Sequence, residues 1–392
     1  MSGEARIAGV GMTRFVKPGQ GEYRTLGAEA ARAALADAGL DYADVQQAYV
    51  GYVYGDSTSG QSALYEVGLT GIPVVNVNNN CSTGSSALYL ARQAVASGAA
   101  DCVLALGFEQ MAPGALQEYY TDRPSPLSRF TDIADKAIDT AGAPMALKLF
   151  GGAGAEYQRR YGASDETFAR ISVKARRHAE HNERAIFRGQ VTVEEVLASP
   201  HMLGPLTRLQ CCPPTCGGAA AVIVSAEFAR RKGLKADVLI RGQAMRTDFP
   251  STFEEDNLIK VVGADMTAAA AAAAYVEAGV GPGDIDVVEL HDCFTANEIL
   301  SYEALGLAPE GGAERFVMDG DNTYGGKVVV NPSGGLLSKG HPLGATGLAQ
   351  CAELVWQLRG EAGVRQVEQA RLGLQHNIGI GGACVVTLYE RA

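Results

Sequence analysis

The sequence predicts an α/β fold that is built from two similar halves. Alanine-rich segments alternate with short apolar runs, an order that produces βαβ units and mostly parallel sheets. Residues 25–53 and 268–290 share one order of features: an alanine-rich helix, a glycine, a short turn and an apolar strand. With 392 residues, the chain is also longer than one ordinary hydrophobic core requires.

The repeat has a constant spacing. Gly39 and Asp44 of the first copy match Gly279 and Asp284 of the second, and both positions are shifted by 240 residues. A glycine is the natural residue just past a helix end. Because a glycine and an aspartate are common at helix-to-strand joints, the shared order of all the features is the better indication of a duplication.

The first strand of each half is also visible. Residues 5–10 open the first half, and residues 238–240 follow the basic stretch ARRKGLKAD. We therefore predict an N-terminal half at residues 1–230 and a C-terminal half at 236–392, with the boundary near 229–237.

Three continuous apolar runs are typical of buried parallel strands. They are AAAVIV at 219–224, VVEL at 287–290 and CVVTLY at 384–389. Residues 112–210 differ, because they hold much of the proline, tyrosine and arginine and long polar stretches such as RFTDIADKAIDTAG. We interpret them as an excursion from the first half that covers a functional site, rather than as a sheet layer.

The composition argues against several classes of protein. Hydrophobic residues make up 47% and charged residues 20%, as in a globular enzyme. A net charge of −11 without a basic block argues against nucleic-acid binding. The alanine run at 268–274 falls short of the ~18 residues of a membrane span. No signal peptide and no peroxisomal address is expected, so the eight cysteines are predicted to be reduced thiols in a cytoplasmic compartment.

Cys81 stands between a predicted strand and a predicted helix, in the stretch NNNCSTGSSA at 78–87. Backbone N–H groups and the positive end of the helix dipole favour a thiolate at such a position. The dipole supplies at most about 2 kcal/mol, too little to make a strong nucleophile without a base such as histidine. From its position alone, Cys81 could equally be a small buried residue that helps the helix pack.

His341 is the strongest candidate for that base among the six histidines. It lies in NPSGGLLSKGHPLGATG at 331–347, where dense glycines let the backbone approach a ligand closely. His178 and His181 belong to the polar segment RRHAEHNE and are predicted to be solvated. His201 follows Ser-Pro in a loop and carries no functional signal.

Two further loops follow predicted strands. HDCF at 291–294 ends the run DVVEL, and ligand sites in α/β sheets lie beyond such strand ends. Cys293 therefore occupies the same type of joint as Cys81, in the other half of the duplication. The alternative is an ordinary strand end at which Asp292 caps the following helix. HNIGIGG at 376–382 could direct backbone N–H groups toward an anion.

Two other stretches resemble a dinucleotide-binding motif and a zinc-binding motif, but each lacks a residue or spacing that the motif requires. Gly9 and Gly11 lack the third glycine of a dinucleotide-binding turn, because residue 14 is Arg. The cysteines in CCPPTC at 211–216 lack the paired spacing of a zinc site, and no metal is expected.

Taken together, Cys81, HDCF, the glycine-rich loop at 331–347 and HNIGIGG resemble the four active-site loops of the thiolase superfamily. The HDCF loop is similar to that of the sterol carrier protein type of thiolase, and the resemblance extends over essentially the whole chain. It implies duplicated βαβ halves with mixed five-stranded sheets in an αβαβα layering. The lipid-carrier domain of the animal members is expected to be absent.

The resemblance also implies catalytic roles. Cys81 would be the nucleophile that takes the acyl group, His341 would accept its proton, and Cys293 would act as acid and base on carbon. The backbone N–H groups of Cys81 and Gly379 would form an oxyanion hole, while His291 and His341 would hold the other carbonyl oxygen.

Gly340, Ser333 and Asn377 are expected to support these loops. In most thiolases the second cysteine lies in the last loop, where this chain has Asn377, so its task would fall to Cys293. Cys384 is predicted to be inert core. The stretch Thr215–Gly217 reads Thr-Cys-Gly where relatives often have Ser/Thr-Asp-Gly, which suggests an altered loop.

The implied activity is that of a 3-ketoacyl-CoA thiolase in fatty-acid or sterol side-chain breakdown. Acyl-CoA and coenzyme A would be substrates, no cofactor would be permanently bound, and a homodimer is expected. Two alternatives stay open: a retro-aldolase-like enzyme of lipid degradation with a small partner protein, and a non-catalytic acyl-CoA-binding subunit.

Overall fold

The computed structural model of the protein describes residues 3–114, 120–138 and 142–392. Strands alternate with helices in both halves, as the apolar runs predict. The strands within the described ranges are β1 (Ala5–Met12), β2 (Gln47–Gly51), β3 (Val74–Val77), β4 (Cys102–Glu109), β5 (His201–Leu203), β6 (Leu206–Thr207), β7 (Gly217–Ser225), β8 (Val238–Arg246), β9 (Val287–Glu289), β10 (Val329–Val330), β11 (Leu372–Gly379) and β12 (Ala383–Arg391).

The helices connect these strands and cover both faces of the sheets. They are α1 (Tyr23–Ala38), α2 (Ser59–Tyr65), α3 (Thr83–Ala96), α4 (Ser128–Ala137), α5 (Met145–Tyr161), α6 (Asp165–Ala179), α7 (Val193–Ala198), α8 (Ala226–Lys232), α9 (Ser251–Glu254), α10 (Leu258–Val261), α11 (Ala264–Ala278), α12 (Thr295–Ala304), α13 (Ala313–Met318), α14 (Gly335–Ser338) and α15 (Thr346–Arg359). None of the helices in the described part of the chain is both long and apolar enough to span a bilayer.

Two five-stranded units form the main sheet. The N-terminal unit has the order β3-β2-β4-β7-β1, and the C-terminal unit has the order β10-β9-β11-β12-β8. In each unit two pairings are parallel and two are antiparallel. The expectation of mostly parallel sheets was therefore wrong, because an apolar run reports burial and not strand direction. The mixed five-stranded sheets that the resemblance implied are confirmed.

A central pair of helices lies between the faces of the two units, which are continuous only along one edge. Helix α3 packs on α15, and each of them also contacts strands of both units. Helix α1 covers the outer side of β1 and β7, and α11 covers β8 and β12. This arrangement is the αβαβα layering. The units join where β1 pairs with β8 over Arg6–Ile7.

The duplication is visible in how helices meet strands. A Cβ on Gly9 of β1 would lie 2.3 Å from the Ala34 carbonyl oxygen of α1. A Cβ on Gly242 of β8 would lie 2.4 Å from the carbonyl oxygen of Ala274, which is 240 positions after Ala34. Both halves thus use a glycine in the strand and alanines in the helix to bring two backbones into contact.

Residues 112–210 stay outside the main sheet where they are described. They include α4 to α7 and the small β5–β6 hairpin, whereas residues 115–119 and 139–141 lie outside the described part of the chain. His181 is exposed as predicted. The prediction for His178 was wrong, because it is 4% exposed and bonded to the Asn331 carbonyl oxygen at 3.0 Å. The domain boundary near 229–237 stays a prediction.

Candidate active site

Cys81 lies in a tight connection between β3 and α3. Asn80 has a left-handed backbone (φ 48°), and its side-chain Nδ2 donates to the Ile380 carbonyl oxygen at 2.7 Å. A Cβ on Gly379 would lie 2.0 Å from the Asn79 carbonyl oxygen. The first and last predicted loops are therefore in direct contact, and only glycine fits at position 379.

His341 is held from two sides. Its backbone N–H donates to Thr215 Oγ1 at 2.6 Å, and its Nδ1 lies 2.7 Å from Thr346 Oγ1. The Thr346 hydroxyl donates its one proton to the Pro342 carbonyl oxygen at 2.9 Å, so Nδ1 of His341 must be the donor to Thr346. Nε2 is then an acceptor, and it is buried without a hydrogen-bond partner among the described residues.

The cysteine and both histidines of the four loops meet. The sulfur of Cys81 and one ring nitrogen each of His291 and His341 lie within 4.8 Å of one another. The two imidazole rings are nearly perpendicular, with their centroids 5.0 Å apart. Asn377 Nδ2 lies 2.9 Å from Nδ1 of His291, so Asn377 also belongs to the cluster.

Cys293 faces the same cavity as Cys81, and both are buried. Its carbonyl oxygen accepts the N–H of Cys212 at 2.9 Å. Cys212 also lines the cavity, although its sequence pattern raised only the question of a metal ligand. The signal that could have found it is the twin cysteine at 211–212 followed by two prolines, since such a stretch holds a defined extended backbone.

Asp292 does not cap the helix that follows it. Its carboxylate accepts the N–H groups of Leu336 at 2.7 Å and Leu337 at 3.4 Å, at the start of α14. It thereby ties the HDCF loop to the loop that carries His341. Burial raises the pKa of Asp292 to about 8.

Glu109, at the end of β4, was not singled out by the sequence. Its fully buried carboxylate accepts the N–H groups of Val53, Tyr54 and Gly344 at 2.9–3.0 Å. Burial raises its pKa to about 7. Because Gly344 follows His341 by three residues, Glu109 fixes the loop that carries His341 against the N-terminal unit.

Ser333 and Gly340 support the loop without entering the cavity. Gly340 has φ 122°, which favours glycine beside His341. Ser333 Oγ donates to Glu289 at 2.8 Å and accepts from Lys339 Nζ at 2.9 Å. Lys339 is 3.3 Å from Glu289, and both side chains are at most 1% exposed.

The Lys339→Met variant should lower the free energy of unfolding by about 3–5 kcal/mol, since it leaves the Glu289 charge buried without its partner. Denaturant unfolding measures this change. The double variant Lys339→Met/Glu289→Gln should regain most of the loss, because the uncompensated charge is then removed. A single variant as stable as the wild type would contradict the pairing.

A cavity of about 450 Å³ is lined by Cys81, Cys293 and His341, with His291 buried behind this wall. Its volume lies in the range of small-molecule sites, and its wall is mostly apolar. Excursion residues contribute to the wall, and Arg208 is the one cation among the described lining residues. The lining residues beyond Cys81, Cys293 and His341 are Met111, Gly114, Pro144, Ala146, Leu147, Phe150, Met202, Arg208, Cys211, Cys212, Pro213, Pro214, Phe294, Leu343 and Ile380.

Burial dominates the electrostatics of the thiol. It raises the pKa of Cys81 to about 12, although the N–H groups of Cys81 itself and of Ile380 act in the opposite direction. The backbone N–H groups thus act in the predicted direction, but desolvation outweighs them and the resting thiol stays protonated. Burial also lowers the pKa of His341 to about 3, so the pair rests as thiol and neutral imidazole.

Titration of the resting protein should consequently show no Cys81 thiolate between about pH 6 and 9. The measurement is the difference between wild type and Cys81→Ser in the ultraviolet absorbance that a thiolate has and a thiol lacks. An absorbance step assigned to Cys81 with a midpoint at neutral pH would show an ion pair with His341 instead.

The same cluster also has the spacing of a metal-binding site. Cys81, His291 and His341 are, within the described ranges, the one set of such side chains whose donor atoms cluster closely enough. A thiol and two imidazoles are ligands that Zn²⁺ accepts. The same three groups fit acyl transfer, in which sulfur attacks, one imidazole accepts a proton and the other stabilises an oxygen.

Comparison with known families identifies the family to which the chain belongs. A family model described as "Thiolase, N-terminal domain" matches residues 6–227, and one described as "Thiolase C-terminal domain-like" matches residues 252–389. "Sterol carrier protein 2" of Oryctolagus cuniculus is 54% identical over 98% of this chain and 71% of its own length. "Non-specific lipid-transfer protein-like 2" of Caenorhabditis elegans is 46% identical over 98% and 95%.

Solved structures share the fold. An "Ltp2-ChsH2(DUF35) aldolase" is 27% identical with a TM-score of 0.84, over 100% of this chain and 98% of its own. Human mitochondrial 3-ketoacyl-CoA thiolase in complex with CoA is 18% identical with a TM-score of 0.73, over the same shares. From the two family matches and these relatives, the chain belongs to the thiolase family of acyltransferases.

Proposed function

We propose that the protein is a 3-ketoacyl-CoA thiolase that acts through an acyl-enzyme on Cys81. The observation that carries the proposal is Nε2 of His341, which has no hydrogen-bond partner among the described residues and can take the proton of the buried Cys81 thiol in the same cluster. Both groups lie at a cavity with an apolar wall, which suits an acyl chain.

In the first half-reaction, the proton of Cys81 passes to Nε2 of His341, and the thiolate attacks the ketone carbon of a 3-ketoacyl-CoA. The backbone N–H groups of Cys81 and Gly379 stabilise the oxyanion that forms on that carbon. The bond between Cα and Cβ then breaks, and the acyl group stays on sulfur as a thioester. His291 and His341 hold the enolate oxygen of the departing acetyl-CoA, while Cys293 gives its proton to the enolate carbon.

In the second half-reaction, Cys293 recovers its proton from coenzyme A. The coenzyme A thiolate attacks the acyl-enzyme and releases the shortened acyl-CoA, while the Cys81 thiolate leaves and takes back its proton from His341. The product thioester has an energy comparable to that of the acyl-enzyme, so the same residues can also run the condensation. Such a cycle gives ping-pong kinetics.

The proposed setting is lipid breakdown in the cytoplasm, on fatty-acyl or sterol side-chain substrates. The apolar wall and the sterol carrier protein relatives support this choice. A homodimer and coenzyme A as the second substrate are part of the proposal, and a solved thiolase of the same fold carries CoA.

A retro-aldolase that acts with a small partner protein is the second candidate. It is favoured by the likeness to an aldolase assembly with a DUF35 component. Cys81 and Cys293 at one cavity argue for the thiolase, because cleavage of a 3-hydroxyacyl-CoA needs no acyl acceptor on the enzyme.

Intact-protein mass spectrometry after brief mixing with acetoacetyl-CoA or a longer 3-ketoacyl-CoA tests the proposal. We expect an acyl adduct that peptide mapping locates on Cys81 and that added coenzyme A discharges. If coenzyme A thioesters bind and no ketoacyl-CoA leaves an adduct, the thiolase proposal fails. The aldolase, or a non-catalytic acyl-CoA-binding subunit, then becomes the better description.

A further inference from the structure

A chain of hydrogen bonds runs from β12 to the active-site cluster. Tyr389 donates its hydroxyl proton to Gln375 Oε1 at 2.5 Å. Gln375 Nε2 donates to the Gly347 carbonyl oxygen at 2.8 Å and to Ser85 Oγ at 2.7 Å. Because both ends of the Gln375 amide have a partner of the right kind, its orientation is fixed.

The next two links follow from that orientation. Ser85 Oγ accepts from Gln375, so its own proton is free to go to Asn377 Oδ1 at 2.8 Å. This leaves the NH₂ end of Asn377 toward Nδ1 of His291 at 2.9 Å. Nδ1 of His291 is therefore an acceptor, and the one proton of a neutral imidazole must sit on Nε2.

The chain is closed to solvent along its whole length. Ser85, Gln375, Asn377 and Tyr389 are 0% exposed, and His291 is 1% exposed. Burial lowers the pKa of His291 well below its ordinary value, which keeps the ring neutral. A Cβ on Gly347 would lie 2.1 Å from Ser85 Oγ, so this glycine leaves room for the link.

The two histidines of the cluster thus hold opposite tautomers. Thr346 leaves a lone pair on Nε2 of His341, whereas Asn377 leaves a proton on Nε2 of His291. One ring can accept the proton of Cys81 while the other donates a hydrogen bond to a developing oxyanion.

We propose that Asn377, oriented by Ser85, Gln375 and Tyr389, is a positioning residue that fixes His291 as the hydrogen-bond donor of the site. Asn377 acts in this way through the tautomer of a neighbouring ring and has no direct part in proton transfer. The same assignment disfavours a metal at the cluster, because Nε2 of His291 offers a proton where a metal needs a lone pair.

The tautomer of His291 does not depend on the proposed function. Its expected effect on kcat does, because that effect rests on the proposed thiolase reaction. Nitrogen NMR of the protein labelled in histidine measures the tautomer, with the His291→Asn variant to assign the signal. In the wild type we expect a protonated Nε2 and an unprotonated Nδ1. In Asn377→Asp, a carboxylate of the same shape accepts from the ring, so the proton should move to Nδ1.

The kinetic arm uses the same variant at the alkaline end of the activity range, where an imidazolium loses its extra proton. Asn377→Asp should lower kcat about 10²-fold with little change in KM, the effect of losing one oxyanion donor. In the His291→Asn background, Asn377→Asp should leave kcat almost unchanged. The amide at position 291 donates its hydrogen bond from an NH₂ group, which has no tautomers to choose between. Gln243→Glu, a buried amide that bonds Thr387, is the matched control and should keep wild-type kcat.

Two results would overturn the inference. One is an unprotonated Nε2 on His291 in the wild type, or an Nδ1 that stays unprotonated in Asn377→Asp. The other is an equal loss of kcat from Asn377→Asp in both backgrounds, which would mean that Asn377 acts without His291. If neither form turns over any ketoacyl-CoA, the proposed function fails while the NMR result still decides the tautomer.

Discussion

Cys81→Ser should lower turnover of 3-ketoacyl-CoA by about 10⁴-fold or more. A serine hydroxyl is a far weaker nucleophile than sulfur, and its ester is a poorer donor of the acyl group to coenzyme A. The buried position makes the loss larger, because His341 would have to ionise a hydroxyl in an apolar wall. Steady-state thiolysis and the yield of acyl adduct measure the effect together.

The matched control is Cys102→Ala, which removes a buried thiol of β4 that does not line the cavity. We expect wild-type adduct formation from it. Turnover by Cys81→Ser within tenfold of the wild type would contradict the acyl-enzyme mechanism. Coenzyme A binding that is unchanged by Cys81→Ser, with no turnover in either form, would support the non-catalytic subunit.

His341→Asn should lower kcat by about 10²–10⁴-fold, the usual contribution of a general base. The reason is the pKa of about 12 for the thiol, which leaves almost no thiolate at neutral pH once its proton acceptor is gone. The residual rate should then rise with pH about tenfold per pH unit, because only the thiolate that forms spontaneously can react. Wild-type kcat should be flat over the same range, since His341 stays neutral well above a pKa of about 3.

The exposed His181 offers a control with the same chemical change. His181→Asn should reproduce the wild-type rate and pH profile. If the His341→Asn rate did not depend on pH, another group would have to take the proton of Cys81. Thermal unfolding of both variants checks that the loss of the Thr346 contact has not disturbed the fold.

The fold could be predicted wherever a spacing of residues in the sequence results directly from a packing contact. Alanines of α1 and α11 recur because glycines in β1 and β8 bring backbone against backbone, so the spacing in the sequence reports the packing. Strand direction could not be predicted in this way. β7 pairs antiparallel with both β1 and β4, yet its apolar run AAAVIV is of the kind that also suits a parallel strand.

The four loops of the site were also predicted, since glycine, cysteine and histidine at strand ends are rare enough to stand out. What could not be predicted is how burial acts on them. The charge state of Cys81 depends on a wall that comes from distant segments, including Leu147 and Met202. His178 looked solvated among charged neighbours, yet Asn331 and Thr323 lie against its ring.

Ser85 and Gln375 were missed for a related reason. A serine among other serines at the start of a helix and a glutamine in a strand carry no signal of their own in a sequence. Their role comes from the meeting of α3 with β11 and β12, because Ser85 precedes Gln375 by 290 residues and Asn377 by 292. Asn377 stood out only as a departure from the family pattern.

The central pair of helices has a consequence for how the site can be altered. Cys81 stands before α3 and His341 before α15, and these helices follow the corresponding edge strands β3 and β10 of the two units. One repeat thus contributes sulfur and the other contributes imidazole from equivalent places. Because each place is encoded separately within one chain, a substitution at either one leaves the other unchanged.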